Sequence, residues 1–349
     1  AIYVEVDKNS PYLAQADQSI KLDTSYLDAD AILNAAKVSH SEAIHPGYGF
    51  LSENEKFASS VEQSGLVWIG PSANVISQMG DKLKAKDVAE RAGLPTLSIA
   101  LKKSDIDSIG FPLLIKAVAG GGGKGMRVVN HANELDESVK MAQKEALNAF
   151  ADDTVFFESY IQQSRHIEIQ VLGDNHGNII HLGERECSIQ RRHQKIIEES
   201  PSPRINSTLR EQLGDAAVSL AKKINYQSAG TVEFLFDDTT GKFWFLEMNT
   251  RLQVEHPVTE EVTGIDIVEQ QLLIAANQEL SIYQQDVSWD GHAIEARVYA
   301  EDPNNDFLPS TGKLIANQIE PKDGIRWDSG VEAGMVIGTD FDPMMAKVI

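Results

Sequence analysis

The chain has 349 residues, 42% of them hydrophobic and 24% charged, which is the composition of an ordinary globular protein of two or three packed units, not of a disordered or fibrous one. Acidic residues outnumber basic ones 52 to 31, for a formal net charge of -21. That balance argues against a general nucleic-acid binder or a protein docked on anionic lipid, both of which need a positive surface, and it requires any anionic substrate to meet a local basic patch. The one cysteine, Cys187, excludes an intrachain disulfide and fits a reducing compartment. No apolar run reaches the roughly 18 residues needed to cross a bilayer.

Both ends read as cuts through structured regions. Residues 1–6 have the pattern of a strand, and the chain stops in the apolar run ending at Ile349. Helices are expected at 29–38 and 53–64, and strands at 43–45 and 66–69, an alternation that suggests a parallel sheet covered by helices. A helix over 81–92 stops at Gly93. Strands follow at 111–117 and 126–130, a helix at 135–149, and strands at 155–160, 166–172 and 179–182. Residues 209–224 read as a long amphipathic helix, 231–236 and 242–248 as a hairpin, and 265–277 as a helix. Beyond residue 292 the pattern is strands: 292–299, 312–317 and 324–327. The chain therefore starts α/β, passes into α+β and ends β-rich, with boundaries near 81 and 278.

Ala119-Gly-Gly-Gly-Gly-Lys-Gly125 contains the spacing G-x-G-x-x-G, but a strand follows it where a dinucleotide fold needs a helix. Lys124 is followed by glycine, so the phosphate loop of P-loop NTPases is also excluded. A flexible surface hairpin and a phosphate-covering flap remain, and Lys116 on the strand leading in favours the flap.

The hairpin at 231–248 is the most informative segment. Alternation puts Val232, Phe234 and Phe236 on one face and Glu233 on the other, and pairing about the turn brings Glu233 opposite or diagonal to Glu247. With Asn249, these oxygens suit Mg²⁺, against the plainer reading of a solvated, charge-paired strand face. The period-two series continues through Arg251, Gln253 and Glu255. If the backbone stays extended, all of them point into one space, where Arg251 can fork onto a planar oxyanion and Glu255 can act as a base. Gln190-Arg-Arg-His-Gln-Lys195 is the densest basic run, and read as one strand it turns Arg191, His193 and Lys195 to the same face. In 292–299, Glu295 and Arg297 share a face while Ile294, Ala296 and Val298 are expected to pack.

In order along nearly the whole chain, His45-Pro-Gly-Tyr-Gly-Phe-Leu-Ser-Glu-Asn54, Met79-Gly-Asp-Lys82, the four-glycine loop, Arg165-His-Ile-Glu-Ile-Gln170, Gln190–Lys195 and Glu247-Met-Asn-Thr-Arg-Leu-Gln-Val-Glu-His-Pro257 resemble the biotin carboxylase component of biotin-dependent carboxylases. The tail Asp340-Phe-Asp-Pro-Met-Met-Ala-Lys347 is most similar to the α-chains of acetyl- and propionyl-CoA carboxylases. The resemblance implies an ATP-grasp fold in three parts. These are a Rossmann-like pre-ATP-grasp domain at 1–81, truncated at its start; an ATP-grasp domain at 82–277 with a glycine-loop lid at about 96–160; and a β-rich C-terminal domain at 278–349, truncated at its end.

It also implies a ligase reaction in which ATP and bicarbonate give ADP and carboxyphosphate, which carboxylates N1 of a carrier-borne biotin. On matching positions, Lys82, Lys116, Gly122, Gly123 and His166 hold the ATP phosphates. Glu158 and Ile161 border the adenine, and Gln190 and His193 lie near the nucleotide. Glu233, Glu247 and Asn249 carry Mg²⁺ or Mn²⁺. Lys195, Arg251, Gln253 and the Val254 backbone bind bicarbonate, Glu255 deprotonates it, Arg297 stabilises the biotin enolate, and Tyr48 lies near biotin.

The implied partners are a biotin carboxyl carrier and a carboxyltransferase, with a homodimer left open and no nucleic acid or membrane. The implied compartment is the cytoplasm, or the mitochondrial matrix in a eukaryote. Ser159 departs from the pattern, standing where lysine is frequent, and no Met-Lys-Met biotin-attachment motif occurs in this chain. The competing expectations are another ATP-grasp carboxylate ligase, or an ATP-binding fragment without turnover.

Overall fold

The computed structural model describes residues 1–118, 125–192, 194–317, 320 and 322–349. The N-terminal part runs β1 (Ile2–Tyr3), α1 (Tyr12–Gln15), β2 (Ile20–Lys21), α2 (Ala29–Val38), β3 (Ala43–Ile44), α3 (Glu55–Gln63), β4 (Val67–Trp68), α4 (Ala73–Gly80) and α5 (Lys82–Arg91). Strands β1 and β2 pair in parallel, as do β3 and β4, so the expected parallel pairing appears as two short ladders. Asp28, Asn54, Ser72 and Asp81 cap α2, α3, α4 and α5 through their side-chain oxygens. The expected helix over 81–92 is α5, while α4 just before it is not among the expected elements; the two stay separate because Asp81 is extended and turns its carboxylate onto the backbone N–H groups of Leu83 and Lys84.

A second unit contains β5 (Ile99–Ala100), β6 (Leu113–Ala117), β7 (Arg127–Val129), α6 (Leu135–Phe150) and β8 (Val155–Ser159). Its four strands form an antiparallel sheet in the order β5-β8-β6-β7, packed on α6 through Leu113, Ile115, Val129, Leu135, Ala142 and Phe157.

The third unit builds the largest sheet. It comprises β9 (Ser164–Gly173), β10 (Ile179–Arg191), β11 (Gln194–Ser200), α7 (Ser207–Lys223), β12 (Ser228–Asp237), β13 (Phe243–Asn249), α8 (His256–Thr263) and α9 (Ile267–Ala275). The C-terminal strands are β14 (Ala293–Tyr299), β15 (Glu301–Asp302), β16 (Leu308–Pro309), β17 (Gly312–Lys313), β18 (Trp327–Ser329), β19 (Val336–Ile337) and β20 (Met344–Val348). Eight strands pair antiparallel throughout in the order β13-β12-β9-β10-β11-β14-β20-β18. One sheet thus runs from the central part of the chain into its C-terminal part.

Alternation gives this sheet two unlike faces. Ile167, Ile169, Val171, Val232, Phe234 and Phe245 pack against Met79 of α4, Ala85 and Ala89 of α5, and Leu213, Ala217 and Leu220 of α7. The residues between them (His166, Glu168, Gln170, Thr231 and Glu233) face the other way. Strand β10 runs nine residues past the expected 179–182, because Glu184, Arg185 and Glu186 are buried strand residues that no hydrophobic pattern marks.

Arg185 ties the polar face together. It is fully buried, donates to Glu168 Oε1 at 2.5 Å, to Gln170 Oε1 at 2.8 Å and to Thr231 Oγ1 at 3.0 Å, and reaches Thr259 of α8 at 2.9 Å. Removing one partner of such a pair strands a buried charge, so Arg185→Met is expected to lower unfolding free energy by about 3–5 kcal/mol, measured by urea denaturation.

Candidate active site

The β12–β13 hairpin places Glu233 directly opposite Glu247 and Thr231 opposite Asn249. On the other side, β9 brings Glu168 opposite Glu233 and places His166 two residues along the same strand. His166 Nε2 lies 2.6 Å from Glu233 Oε2, and Asn249 Nδ2 donates to Glu233 Oε1 at 2.8 Å. Ligand atoms of His166, Glu168 and Glu233 converge within 4.8 Å of one another. Burial pushes the Glu233 carboxyl up, but His166 and Lys195 outweigh it and hold the group well below the ordinary range. Burial likewise pulls His166 down, and Glu233 overcomes it, so the imidazole is raised. Glu247 goes the opposite way: burial and then Glu233 push it up against Lys82 and Lys116. Two opposed carboxyls, one of them short of positive charge, with the Asn249 amide beside them, fit a hard divalent cation.

The ammonium of Lys195 is the hub of the other half. It donates to Glu168 Oε2 at 2.5 Å, Glu233 Oε1 at 2.8 Å and Glu255 Oε1 at 2.7 Å. Burial alone would lower its pKa, yet the three carboxylates raise it well above the ordinary value. Glu255, only 1% exposed, occupies the N-cap position of α8. Burial pushes its carboxyl up, but Lys195, Arg297 and Arg185 hold it far below the usual range, so it is ionised at neutral pH. Arg297 on β14 donates to Glu255 Oε2 at 2.9 Å and to Glu198 Oε1 at 2.6 Å.

Beyond β13 the chain leaves the extended state, so the period-two series of the sequence is not a strand. Its members nonetheless converge. Arg251 donates to Asn249 Oδ1 at 3.3 Å and to Glu53 Oε2 at 2.8 Å. Gln253, with its amide oxygen toward Arg251, accepts at 3.3 Å and donates to Glu255 Oε1 at 3.2 Å. The carbonyl of Val254 accepts from Lys347 Nζ at 2.5 Å.

On the smaller sheet, Lys116 of β6 and Lys86 of α5 both hold the buried Glu158 carboxylate of β8, Lys86 at 2.7 Å. Burial, opposed by the two lysines, leaves Glu158 lowered. Lys82 Nζ donates to the Ala117 carbonyl at 3.2 Å, and burial lowers its pKa. Ile161 lies in the link between β8 and β9, and Gln190 Nε2 sits 3.1 Å from His166 Nδ1. Tyr48 is 39% exposed, and burial and then the Glu295 charge push its hydroxyl up. Gly122, Gly123 and His193 lie outside the described residues.

Two expectations are corrected. The basic run is not one strand: it is the turn of the β10–β11 hairpin, with Arg191 opposite Gln194 and Arg192 at φ 51°. Lys195 therefore points into the site while Arg191 pairs with Glu301 and lies over the Phe307 ring, 4.1 Å from its centroid. On β14, Ile294 is 52% exposed and the buried face belongs to Glu295 and Arg297, because those side chains cover the polar face of the sheet, not its apolar core. Glu53, Glu168, Arg185 and Lys347 join the site without having been singled out. Glu53, Glu168 and Lys347 sit inside the quoted motifs, whereas Arg185 carries no local signal.

Three family models match the chain: "Biotin carboxylase, N-terminal domain" over residues 1–76, "Carbamoyl-phosphate synthase L chain, ATP binding domain" over 80–283, and "Biotin carboxylase C-terminal domain" over 295–349. Methylcrotonoyl-CoA carboxylase subunit alpha, mitochondrial, of Dictyostelium discoideum is 47% identical over 363 residues, which covers 100% of this chain and 52% of that protein. The chain thus spans about half the length of such relatives. Biotin carboxylase 1 of Bacillus subtilis is 46% identical, covering 100% of this chain and 80% of that protein. The biotin carboxylase domain dimer of Hydrogenobacter thermophilus 2-oxoglutarate carboxylase, solved with MgADP, ADP and bicarbonate, superposes with a TM-score of 0.96 at 44% identity, covering 100% of this chain and 79% of that one.

The charge balance at Lys195 predicts a pH signature. Without the ammonium, Glu168, Glu233 and Glu255 keep Arg185, His166 and Arg297 but lose the cation they share, and protonation within the cluster at low pH relieves the repulsion left. Lys195→Met is therefore expected to lower the melting temperature strongly at neutral pH, with the gap to wild type narrowing as pH falls, read by calorimetric scans across pH.

Proposed function

Because the chain belongs to the biotin carboxylase family, whose ATP-grasp fold it has, we propose that it activates bicarbonate with ATP and transfers the carboxyl group to N1 of a carrier-borne biotin, the first half-reaction of an acyl-CoA carboxylase. The observation that carries this reading is the juxtaposition on one sheet face of the opposed Glu233–Glu247 pair with the Lys195–Glu255–Arg297 ion network.

On this reading Glu233, Glu247 and Asn249 hold Mg²⁺, which when bound neutralises phosphate charge during phosphoryl transfer. Lys82, Lys116, Gly122, Gly123 and His166 hold the ATP phosphates. Glu158 and Ile161 lie toward the base, with Gln190 and His193 near the nucleotide. Arg251, Gln253, Lys195 and the Val254 backbone hold bicarbonate against Glu255, whose carboxylate takes its proton. A bicarbonate oxygen attacks the γ-phosphorus and ADP leaves; the resulting carboxyphosphate gives its carboxyl to biotin N1, and the phosphate released takes up the N1 proton. Arg297 stabilises the negative charge that develops on the ureido oxygen, and Tyr48 borders the biotin. Holding the labile mixed anhydride among buried side chains keeps water from it.

The chain divides on this reading into parts at 1–81, 82–277, with a lid at about 96–160, and 278–349, which the ranges of the three matching families support. The partners are a biotin carboxyl carrier and a carboxyltransferase that sets the final acyl acceptor. The protein works as a homodimer, in the cytoplasm or, in a eukaryote, the mitochondrial matrix. The dimeric state of the Hydrogenobacter domain and the mitochondrial relatives support those two points. Among the described residues no helix is long and apolar enough to cross a membrane.

ADP release is expected to require bicarbonate and to rise with free biotin; ATP turnover indifferent to both overturns the reading. Glu255→Gln is expected to lower kcat by about 10²–10⁴-fold while calorimetry still shows MgATP binding. Arg297→Ala should cut the biotin-stimulated rate more than the rate without biotin, measured in the same coupled assay.

A further inference from the structure

Two buried carboxyl groups lie beside the site and face each other: Glu198 of β11 and Glu295 of β14. They are direct partners in the antiparallel ladder, and neither side chain is exposed. Directly opposed side chains lie about 5 Å apart at Cβ, and two like charges there repel, the more so in a dry interior. Their hydrogen bonding is incomplete in a specific way. Glu198 gives Oε1 to the Arg297 guanidinium at 2.6 Å, and its Oε2 is buried without a partner among the described residues. Both oxygens of Glu295 are likewise buried without a hydrogen bond. The cation nearest Glu295 is Lys347, 3.7 Å away, and that ammonium donates instead to the Val254 carbonyl at 2.5 Å. Of the three donorless oxygens on these two facing carboxyls, a single proton placed between them satisfies two, one on each residue, which neither the arginine nor the lysine does.

We propose that Glu198 and Glu295 share one proton at neutral pH, forming an acid–carboxylate pair that positions Arg297 from one side and, through Lys347, the Val254–Glu255 turn from the other. The proton resides on Glu295 and is donated toward Glu198, which keeps its charge for Arg297. The surroundings agree. Glu198 is faced by Arg297 from β14, by Glu255 from the turn before α8 and by Lys195 from its own strand. Burial, opposed by Arg297 and helped by Glu255, pushes it to about 7. Glu295 is faced by Lys347 of β20, itself 3.7 Å from Asp328 of β18 and near Arg326, and by Arg297 and Tyr48. Burial pushes it to about 8 against Lys347, with Glu198 and Glu255 adding to the rise. Were both groups ionised, Arg297 and Lys347 would each meet an extra anion and be drawn off Glu255 and Val254.

The shared proton stands apart from the biotin-carboxylating reading, and only the consequence for catalysis rests on it. The infrared carbonyl band of a protonated, buried carboxylic acid is expected in the wild type at neutral pH, lost between about pH 7 and 9 and lost also in Glu295→Gln. No such band, or one untouched by the substitution, overturns the pair. Because burial raises both carboxyls, their contribution to stability is present at acid pH and is lost as pH rises through about 8. Glu295→Gln should accordingly melt above wild type at alkaline pH and level with it at acid pH, and a constant offset counts against the proposal.

In the coupled assay the biotin-stimulated kcat of the wild type should fall on an alkaline limb near pH 8; Glu295→Gln, a permanent donor, removes the limb and keeps the neutral rate, whereas Glu295→Ala, which has no proton to lose and none to donate, removes it at a lower rate throughout. Glu198→Gln should cost about ten- to a hundredfold in that rate, the worth of a charge-assisted hydrogen bond to Arg297. An alkaline limb unchanged in Glu295→Gln defeats the positioning role. If the wild type forms no ADP with bicarbonate and biotin, the functional reading fails and the infrared and melting experiments still decide the pair.

Discussion

Three carboxylates, Glu168, Glu233 and Glu255, come from three different elements and are buried within reach of one another, which an apolar interior does not tolerate without compensation. The Lys195 ammonium, touching all three, makes that arrangement stable. Its place at the start of β11, just past the hairpin turn, lets one cation serve β9, β12 and the α8 entrance at once. Arg185 and Arg297 complete the arrangement by taking the other oxygens of Glu168 and Glu255. The site is therefore a lattice of alternating charge in which each group's protonation is set by its neighbours, so Glu255 is ionised although almost fully buried.

This lattice reconciles an acidic protein with anionic substrates. The net charge of -21 belongs to the whole chain, whereas Lys82, Lys116, Lys195, Arg251 and Arg297 are brought together from five separate stretches of it. Several of these cations are engaged by carboxylates: Lys116 by Glu158, Arg251 by Glu53, Arg297 by Glu198 and Glu255. A phosphate or bicarbonate entering such a site competes with carboxylates already in place, which favours ligands with several oxygens in defined positions over a single point charge.

The two-faced sheet is what keeps the lattice rigid. Its apolar face is filled by α4, α5 and α7, so the residues in between are driven to the polar face with little freedom to turn away. The same sheet continues through β14, β20 and β18, which places Arg297, Glu295 and Lys347 on a platform shared with the carboxylate pair. Paired strands thus supply Glu233, Glu247, Lys195 and Arg297, and the short link from β13 to α8 holds Arg251, Gln253 and Glu255 against them.

Much of this was legible in the residues, and the division has a physical basis. Strand alternation and turn position are local properties, so the hairpin facing Glu233 against Glu247, the helix at 29–38 and the polarity of residues 231–249 follow from the sequence by itself, as does the family through its motifs. Local patterns failed where charged residues are buried in strands. The extension of β10 through Arg185 and the reversal of β14 with Ile294 outward arise because a second charged layer, contributed by distant elements, pays for desolvation that no window of sequence can register. The turn at Arg192, which separates Arg191 from Lys195, and the meeting of Lys347 with Val254 are likewise products of long-range pairing. The sequence alone determined which residue types were available and the faces of their own strands. The tertiary structure decided which charge would neutralise which, since electrostatic partnership depends on distance in space and not on separation along the chain.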